Sequence, residues 1–262
     1  MKFLSTLRSI QQEWRWSEQL CSSWASRSRL FTDFFLSHVL FALPRGITWR
    51  ERQITTRFGV KLNYRMNRGD LQGIREVWCD EVYRLPFPIS SGALLDLGAN
   101  IGLTTLWMAK HYPFTRIIAV EPSHENAVLV SKNLMQNGIP GELVEAAVGP
   151  EDGTAYFRAS AWSNMGCIAE EGIPVRLVSV RSILAEFGLE KVALAKVDIE
   201  GSEQALFLGP SEWLERTEAM IVEFHPTIID YPLLTSTVAS KGFKYIPASP
   251  QNMDCFVRTS LE

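Results

Sequence analysis

The chain has 262 residues, 46% hydrophobic and 21% charged, the balance of an ordinary soluble globular protein. Its length suits one large domain with or without an accessory segment. A net charge of −3 gives no electrostatic reason to expect nucleic acid as a partner.

Residues 1–50 differ from the rest, with seven Lys/Arg against three Asp/Glu and with Trp14, Trp16 and Trp24 among them. Two readings are open. One is a helical cap that packs its aromatics onto the main domain or closes over a substrate. The other is a helix resting on a membrane surface as a peripheral contact. The apolar residues fall on no single clean stripe, which favours the cap. The run FFLSHVLFAL, Phe34 to Leu43, is too short for a transmembrane segment. It lies behind Arg27, Arg29 and Asp33 and does not read as a leader, so a cytoplasmic protein is expected. Cys21, Cys79, Cys167 and Cys255 are scattered singly with no CxxC pair; reduced thiols are expected, although four cysteines would allow two disulfides. Pro44, Arg45 and Gly46 end the helical pattern.

The main domain is expected over residues 51–262. QITTRFGVKLNYRM reads as a hairpin turning at Gly59, and DLQGIREVWCDEVY as a helix with Asp70 as its N-cap. From Gly92 the chain alternates. The strands are ALLDLG, RIIAVE, ELVEAAV, VALAKVD and EAMIVEF, separated by helices that include IGLTTLWMAKHY and SHENAVLVSKNLMQNG. The second of these helices is opened by Ser123 and stopped by Asn137-Gly138. Later helices start near Ser202 and span about Ile228 to Ser240, and FKYIPA and DCFVR close the chain as an antiparallel hairpin. Alternation of this kind predicts an α/β, Rossmann-like fold, a mainly parallel sheet covered by helices on both faces.

Ligands of such sheets bind beyond the carboxyl ends of the strands. The segments there are DLGANIG, EPS, AAVG, DIEGSE and EFHP. DLGANIG, Asp96 to Gly102, is no dinucleotide fingerprint, because Asn100 and Leu103 stand where glycines are needed. It has no GK[ST], and no Lys or Arg before Lys110 to neutralise phosphate. An acid at its start suits a ligand with a charged amino group, such as the methionine end of S-adenosylmethionine, and the helix N-terminus suits a carboxylate. Glu121 ends the next strand 23 positions after Gly98, where a nucleoside-binding fold places a carboxylate on the ribose hydroxyls.

LLDLGANIGLTTLWMA, IIAVEPSHENAVLVSKNLMQNG, VEAAVGPEDGTAYF, LAKVDIEGSEQAL and IVEFHP, taken together and in this order, resemble the FkbM family of S-adenosylmethionine-dependent methyltransferases over about residues 70–260. The resemblance implies a class I methyltransferase fold, a seven-stranded sheet ending in the antiparallel hairpin. It implies that Asp96, Gly98, Ala99, Asn100 and Gly102 line the methionine part of S-adenosylmethionine. Glu121 and Pro122 would then meet the ribose, and the segment around Ala147 the adenine edge, with Asp198 also beside the cofactor. Many relatives methylate hydroxyls of natural products or saccharides, so O-methylation of a hydroxylated small molecule or saccharide is the leading expectation. N-methylation, or a nucleoside-binding module without turnover, are the alternatives. The oligomeric state stays open, a homodimer included.

In KVDIEGSEQAL, Asp198 ends a strand and Glu200 follows on the loop, both expected to face the cleft. Ser202 reads as an N-cap and Glu203 as an anion in the first helical turn. His225, just past a strand end with Glu223 two residues before it, is expected to share a face with that acid and act as general base. Asp198, Glu200, Glu223 and His225 are also compatible with a divalent cation, though their sequence spacing does not support one. ASAWSNMGC, Ala159 to Cys167, reads either as an acceptor-side loop or as plain surface, and His111 and His124 as surface helix residues.

Overall fold

The computed structural model describes residues 2–39, 49–158, 166–225, 228–247 and 253–259. The chain opens with helices α1 (Lys2–Leu20) and α2 (Trp24–Val39), followed by the hairpin β1 (Glu51–Thr55) and β2 (Lys61–Arg65), in register with Ile54 opposite Leu62. The hairpin turn holds Gly59 at a φ of 79°, as the sequence predicts. Helix α3 (Arg68–Ile74) runs directly into a π-helical turn, Arg75–Cys79.

Next come β3 (Gly92–Leu97), α4 (Leu103–His111), β4 (Phe114–Glu121), α5 (His124–Gln136) and β5 (Glu142–Glu145). A small-sheet region follows: β6 (Ala147–Gly149), β7 (Gly153–Arg158), β8 (Cys167–Ala169) and β9 (Ile173–Ser179). The chain then forms α6 (Val180–Glu186), β10 (Val192–Val197), α7 (Glu203–Leu208) and β11 (Thr217–Glu223). It closes with α8 (Tyr231–Ser240), β12 (Phe243–Pro247) and β13 (Met253–Arg258).

Seven strands form the main sheet in the order β12-β13-β11-β10-β3-β4-β5. The five from β11 to β5 pair in parallel, and the terminal hairpin pairs antiparallel with β11. This is the class I methyltransferase architecture. Every residue of β10 is buried, the pattern of a strand covered on both faces. Successive side chains alternate between two cores. Leu94 joins Leu106, Trp107 and Leu129 on one side, while Leu95 joins Val197, Phe207 and Trp213 on the other.

Three sequence expectations are corrected here. ELVEAAV is not one strand: β5 stops at Glu145, the Ala146 N–H donates to the Glu121 carbonyl at 3.2 Å, and Ala147 enters a second, four-stranded sheet of order β6-β9-β7-β8. Asp70 is not the N-cap of α3. Asn67 fills that position and accepts from the Asp70 N–H, while the Asp70 carboxylate turns inward to Arg65. His111 is not a surface residue: its ring stacks on Trp107 with centroids 4.3 Å apart. His124, by contrast, is exposed and paired with Glu145.

Helices α1 and α2 pack against the main domain, with Leu20, Cys21, Leu30 and Phe34 buried in the same core as Trp107. Trp16 faces inward, against Phe34 and the Arg75 guanidinium. Trp14, Trp24 and Phe31 form a separate edge-on aromatic group. All four cysteines are free thiols. Among the described residues, no helix is long and apolar enough to cross a membrane.

Candidate active site

Above the carboxyl ends of β3, β4, β10 and β11 opens a cavity of about 1070 Å³. Its first wall is the β3–α4 turn. Gly98, Ala99 and Asn100 line the cavity, with Gly98 at a φ of 84° and Asn100 at 51°. A Cβ on Gly98 would lie 1.8 Å from the Asp198 carbonyl oxygen, so only glycine lets the ends of β3 and β10 meet. Gly102 sits behind the turn as the left-handed N-cap of α4, against Val130, and does not line the cavity.

Asp96 does not line it either. Its wholly buried carboxylate accepts from the Thr105 hydroxyl at 2.5 Å and pairs with the Lys196 ammonium at 3.2 Å. Lys196, buried on β10, also donates to the Gly98 carbonyl at 2.5 Å and stands 3.6 Å from Asp198. Burial alone would lower the Lys196 pKa, but Asp96 and Asp198 more than offset that and hold it above its usual value. Lys196 therefore ties the β3 turn to the β10 end. Sequence reasoning passed over it; its signal is a lone cation inside the apolar run VALAKV.

Glu121 ends β4 on the next wall, beside Pro122 and Asn126. Its carboxylate accepts from the N–H groups of Asn100 and Ser123, each at 2.9 Å, and from the Asn126 amide at 3.2 Å. Burial nevertheless pushes its pKa up to about 7. Ala146, Ala147 and Val148 lie alongside.

The opposite end of the cavity is acidic. Asp198, Glu200, Glu223 and His225 all line it, as expected. The Tyr83 hydroxyl donates to Asp198 at 3.0 Å. Burial, reinforced by the Asp198 charge, raises Glu200 to about 7 and Glu223 to about 8. The expected Glu223–His225 pair does not form. Strand β11 ends at Glu223, so the face-sharing of alternate residues lapses, and Phe224 turns into the core among Phe207, Tyr231 and Phe256. His225 instead places Nδ1 3.1 Å from Glu203 and Nε2 3.4 Å from Glu200. The Glu203 bond raises its pKa to about 9, so the imidazole is charged near neutrality and is no general base there.

Glu203, wholly buried, also accepts from the Ile199 and Gly201 N–H groups. It thereby holds the loop that leads into α7, while Ser202 stands at the N-cap position with no side-chain cap bond. The remaining wall comes from the segment before β3: Gln72, Arg75, Glu76, Asp80 and Tyr83. Among the described residues, none before Gln72 lines the cavity, and Trp16 of α1 meets this wall under the Arg75 guanidinium. Residues 159–165 of the expected acceptor-side loop lie outside the described residues; Gly166 and Cys167 at its end do line the cavity.

The model of the FkbM methyltransferase domain matches residues 96–245, more than half of the chain and all of these walls but the one from Gln72 to Tyr83. The chain belongs to the FkbM methyltransferase family. Among curated relatives, Methyltransferase 1 of Beauveria bassiana is 26% identical over 64% of this chain and 79% of its own. The 31-O-demethyl-FK506 methyltransferase FkbM of Streptomyces tacrolimicus is 26% identical over 61% of this chain and 76% of its own. A solved FkbM methyltransferase from Methylobacillus flagellatus aligns with 97% of this chain and 60% of that one, at 14% identity and a TM-score of 0.49.

This FkbM-family chain is thus a methyltransferase, and the methyl donor of the family is S-adenosylmethionine. The cavity fits that molecule. A buried carboxylate, Glu121, faces it; Gly98 lets the backbone come close; and the Asn100 side-chain oxygen is buried with no partner among the described residues.

Proposed function

We propose that the chain transfers a methyl group from S-adenosylmethionine to a hydroxyl of a small molecule or saccharide. The observation that carries this reading is one cavity of about 1070 Å³ with a buried carboxylate, Glu121, at one end and an acidic end at Asp198, Glu200 and Glu223. The curated FkbM relative, whose name specifies a 31-O-demethyl substrate, supports oxygen as the acceptor.

In this reading Gly98, Ala99 and Asn100 cradle the methionine portion, Glu121 accepts from the ribose hydroxyls, and Ala147 flanks the base. Bound there, S-adenosylmethionine supplies an electrophilic methyl group on a sulfonium. The chain's own residues do the rest. Asp96 holds Lys196, and Lys196 holds the Gly98 carbonyl, which fixes the turn. Tyr83 fixes Asp198 toward the acceptor. In-line attack by a hydroxyl needs that hydroxyl aligned and its proton accepted. No described side chain hydrogen-bonds the Glu223 carboxyl, and burial raises it to about 8, so it takes that proton in its ionised form, whose fraction grows as pH rises toward 8. The base therefore moves from His225, the residue the sequence suggests, to Glu223.

Calorimetric titration with S-adenosylmethionine, S-adenosylhomocysteine and NAD tests the first half: both sulfur nucleosides bind and NAD does not. Acceptor screening with carbon-13-labelled methyl donor tests the second, because O-methyl and N-methyl carbons resonate apart. Failure of both nucleosides to bind would sink the reading, and labelled N-methyl product would move it to an amine acceptor.

A further inference from the structure

Asp198, Glu200 and His225 offer one ligand atom each, all within 4.8 Å of one another, at the acceptor end of the cavity. From the geometry we infer that these three residues bind one divalent cation, of the manganese-to-zinc series, with open positions facing the cavity. The sequence spacing of the three is irregular, and only the meeting of the β10 and β11 ends brings them together.

Three observations carry the assignment. The first is the donor set: two carboxylates and one imidazole are a mixed oxygen and nitrogen set, which suits first-row divalent metals better than calcium. The second lies outside the ligand trio. His225 Nδ1 is held at 3.1 Å by Glu203, leaving Nε2 turned toward Glu200. A carboxylate that orients the far nitrogen of a histidine is the usual support of a metal-binding imidazole. Glu203 is wholly buried, and its second oxygen, Oε2, has no hydrogen-bond partner among the described residues. Asp198 is likewise held from behind, by the Tyr83 hydroxyl. The third is charge. Asp198, Glu200, Glu203 and Glu223 gather at this end, while the Lys196 ammonium lies nearer to Asp96, at 3.2 Å, than to Asp198, at 3.6 Å. Four acids thus face two cations, Lys196 and the His225 imidazolium, whose proton a bound metal would displace, and the cavity gives a cation access to the group.

The role of the ion rests on the proposed function: it draws two acceptor oxygens onto one metal, and so selects vicinal or chelating hydroxyls. The binding itself does not depend on that role. It is tested on the full chain by electron paramagnetic resonance of Mn²⁺, with and without S-adenosylhomocysteine. One Mn²⁺ per chain should leave the free-ion signal. Glu200→Gln should weaken binding at least about tenfold, and Glu203→Gln, which touches no metal, by about 10–100-fold. Calorimetric binding of S-adenosylhomocysteine by each variant shows that it is folded.

No uptake of Mn²⁺ at millimolar concentration by a chain that binds the nucleoside would overturn the metal site and leave the proposed function standing. Mn²⁺ uptake without nucleoside binding would do the reverse. Equal uptake by the wild type and both variants would place the ion elsewhere and overturn the assignment. So would methylamine binding that Glu200→Gln abolishes with no Mn²⁺ uptake, which assigns the cluster to an acceptor amine.

Discussion

Two buried ion pairs hold this molecule together, and they are built for different ends. Arg65 and Asp70 are five residues apart in sequence and close a local seam: the guanidinium bonds Asp70 at 2.8 and 3.0 Å, and the Arg65 N–H adds a third bond at 2.7 Å. Lys196 and Asp96 come from neighbouring strands, and the ammonium divides itself between Asp96, Asp198 and the Gly98 carbonyl. The first pair reaches the cavity at one remove: Arg65 also donates to Asn126 at 2.6 Å, and the Asn126 amide donates to Glu121. The second reaches the cavity wall directly, through Asp198 and Gly98, with Asp96 anchoring it from behind. Burial and charge alone do not mark a site; what marks it is where the partners lead.

The largest expected effect comes from removing the space between the two strand ends. Gly98→Ala forces a methyl into the Asp198 carbonyl, and calorimetry should show nucleoside binding lost altogether. Binding within a few-fold of wild type would show that the turn has room to move.

Breaking the pairs compares them directly. Arg65→Met and Lys196→Met each strand a buried carboxylate and should cost about 3–5 kcal/mol of stability in denaturant melts. The distinction lies in affinity for S-adenosylhomocysteine, which should fall further in the Lys196 variant, whose partners line the cavity, than in a folded Arg65 variant, which reaches it only through Asn126. Equal losses would erase the difference between the pairs.

Glu223→Gln keeps shape and removes the proton acceptor, so turnover should drop by roughly 10²–10⁴ with nucleoside affinity unchanged. His225→Gln should not reproduce that drop in the chemical step. If it does, in single-turnover kinetics, the base is the histidine after all.

The smallest effect is on pH. Glu121 is raised from 4.5 to about 7 by burial, so the folded protein keeps a proton between those values that the unfolded chain has lost. Its contribution to stability is therefore present below pH 4.5 and is lost as pH rises through 7. Glu121→Gln should flatten that part of the profile. Ribose hydroxyls need the ionised form, so nucleoside affinity should rise about tenfold per unit up to the Glu121 pKa and then level off. A flat affinity profile would remove Glu121 from ribose binding.

Much of this was legible in the sequence because strands buried on both faces write themselves as unbroken apolar runs. GALLDL, VALAKV and EAMIVE announced the sheet, and the residues after each announced the cavity. Local signals failed where tertiary partners outbid them. Asp70 has the composition of a cap, yet Arg65 draws it inward. Glu223 and His225 have strand spacing, yet the strand ends between them. The ELVEAAV run has one hydrophobic character and two hydrogen-bonding destinies, which no single-chain pattern separates. Lys196 was hidden by its surroundings, since an apolar run invites the eye to discount its one cation. The helical wall from Gln72 to Tyr83 lies mostly upstream of the matching family segment, and its lining role exists only in three dimensions.

That wall carries the π-helical turn, Arg75–Cys79, which is an α-helix with one residue too many. Deleting a single residue there would restore ordinary winding and turn the side chains around the deletion by up to about 100° about the helix axis. Arg75, Glu76 and Asp80 would face new directions while the sheet beneath kept its place. The shape of this cavity wall is thus open to change by insertion or deletion of one codon, a shorter evolutionary step than rebuilding any of the loops at the strand ends.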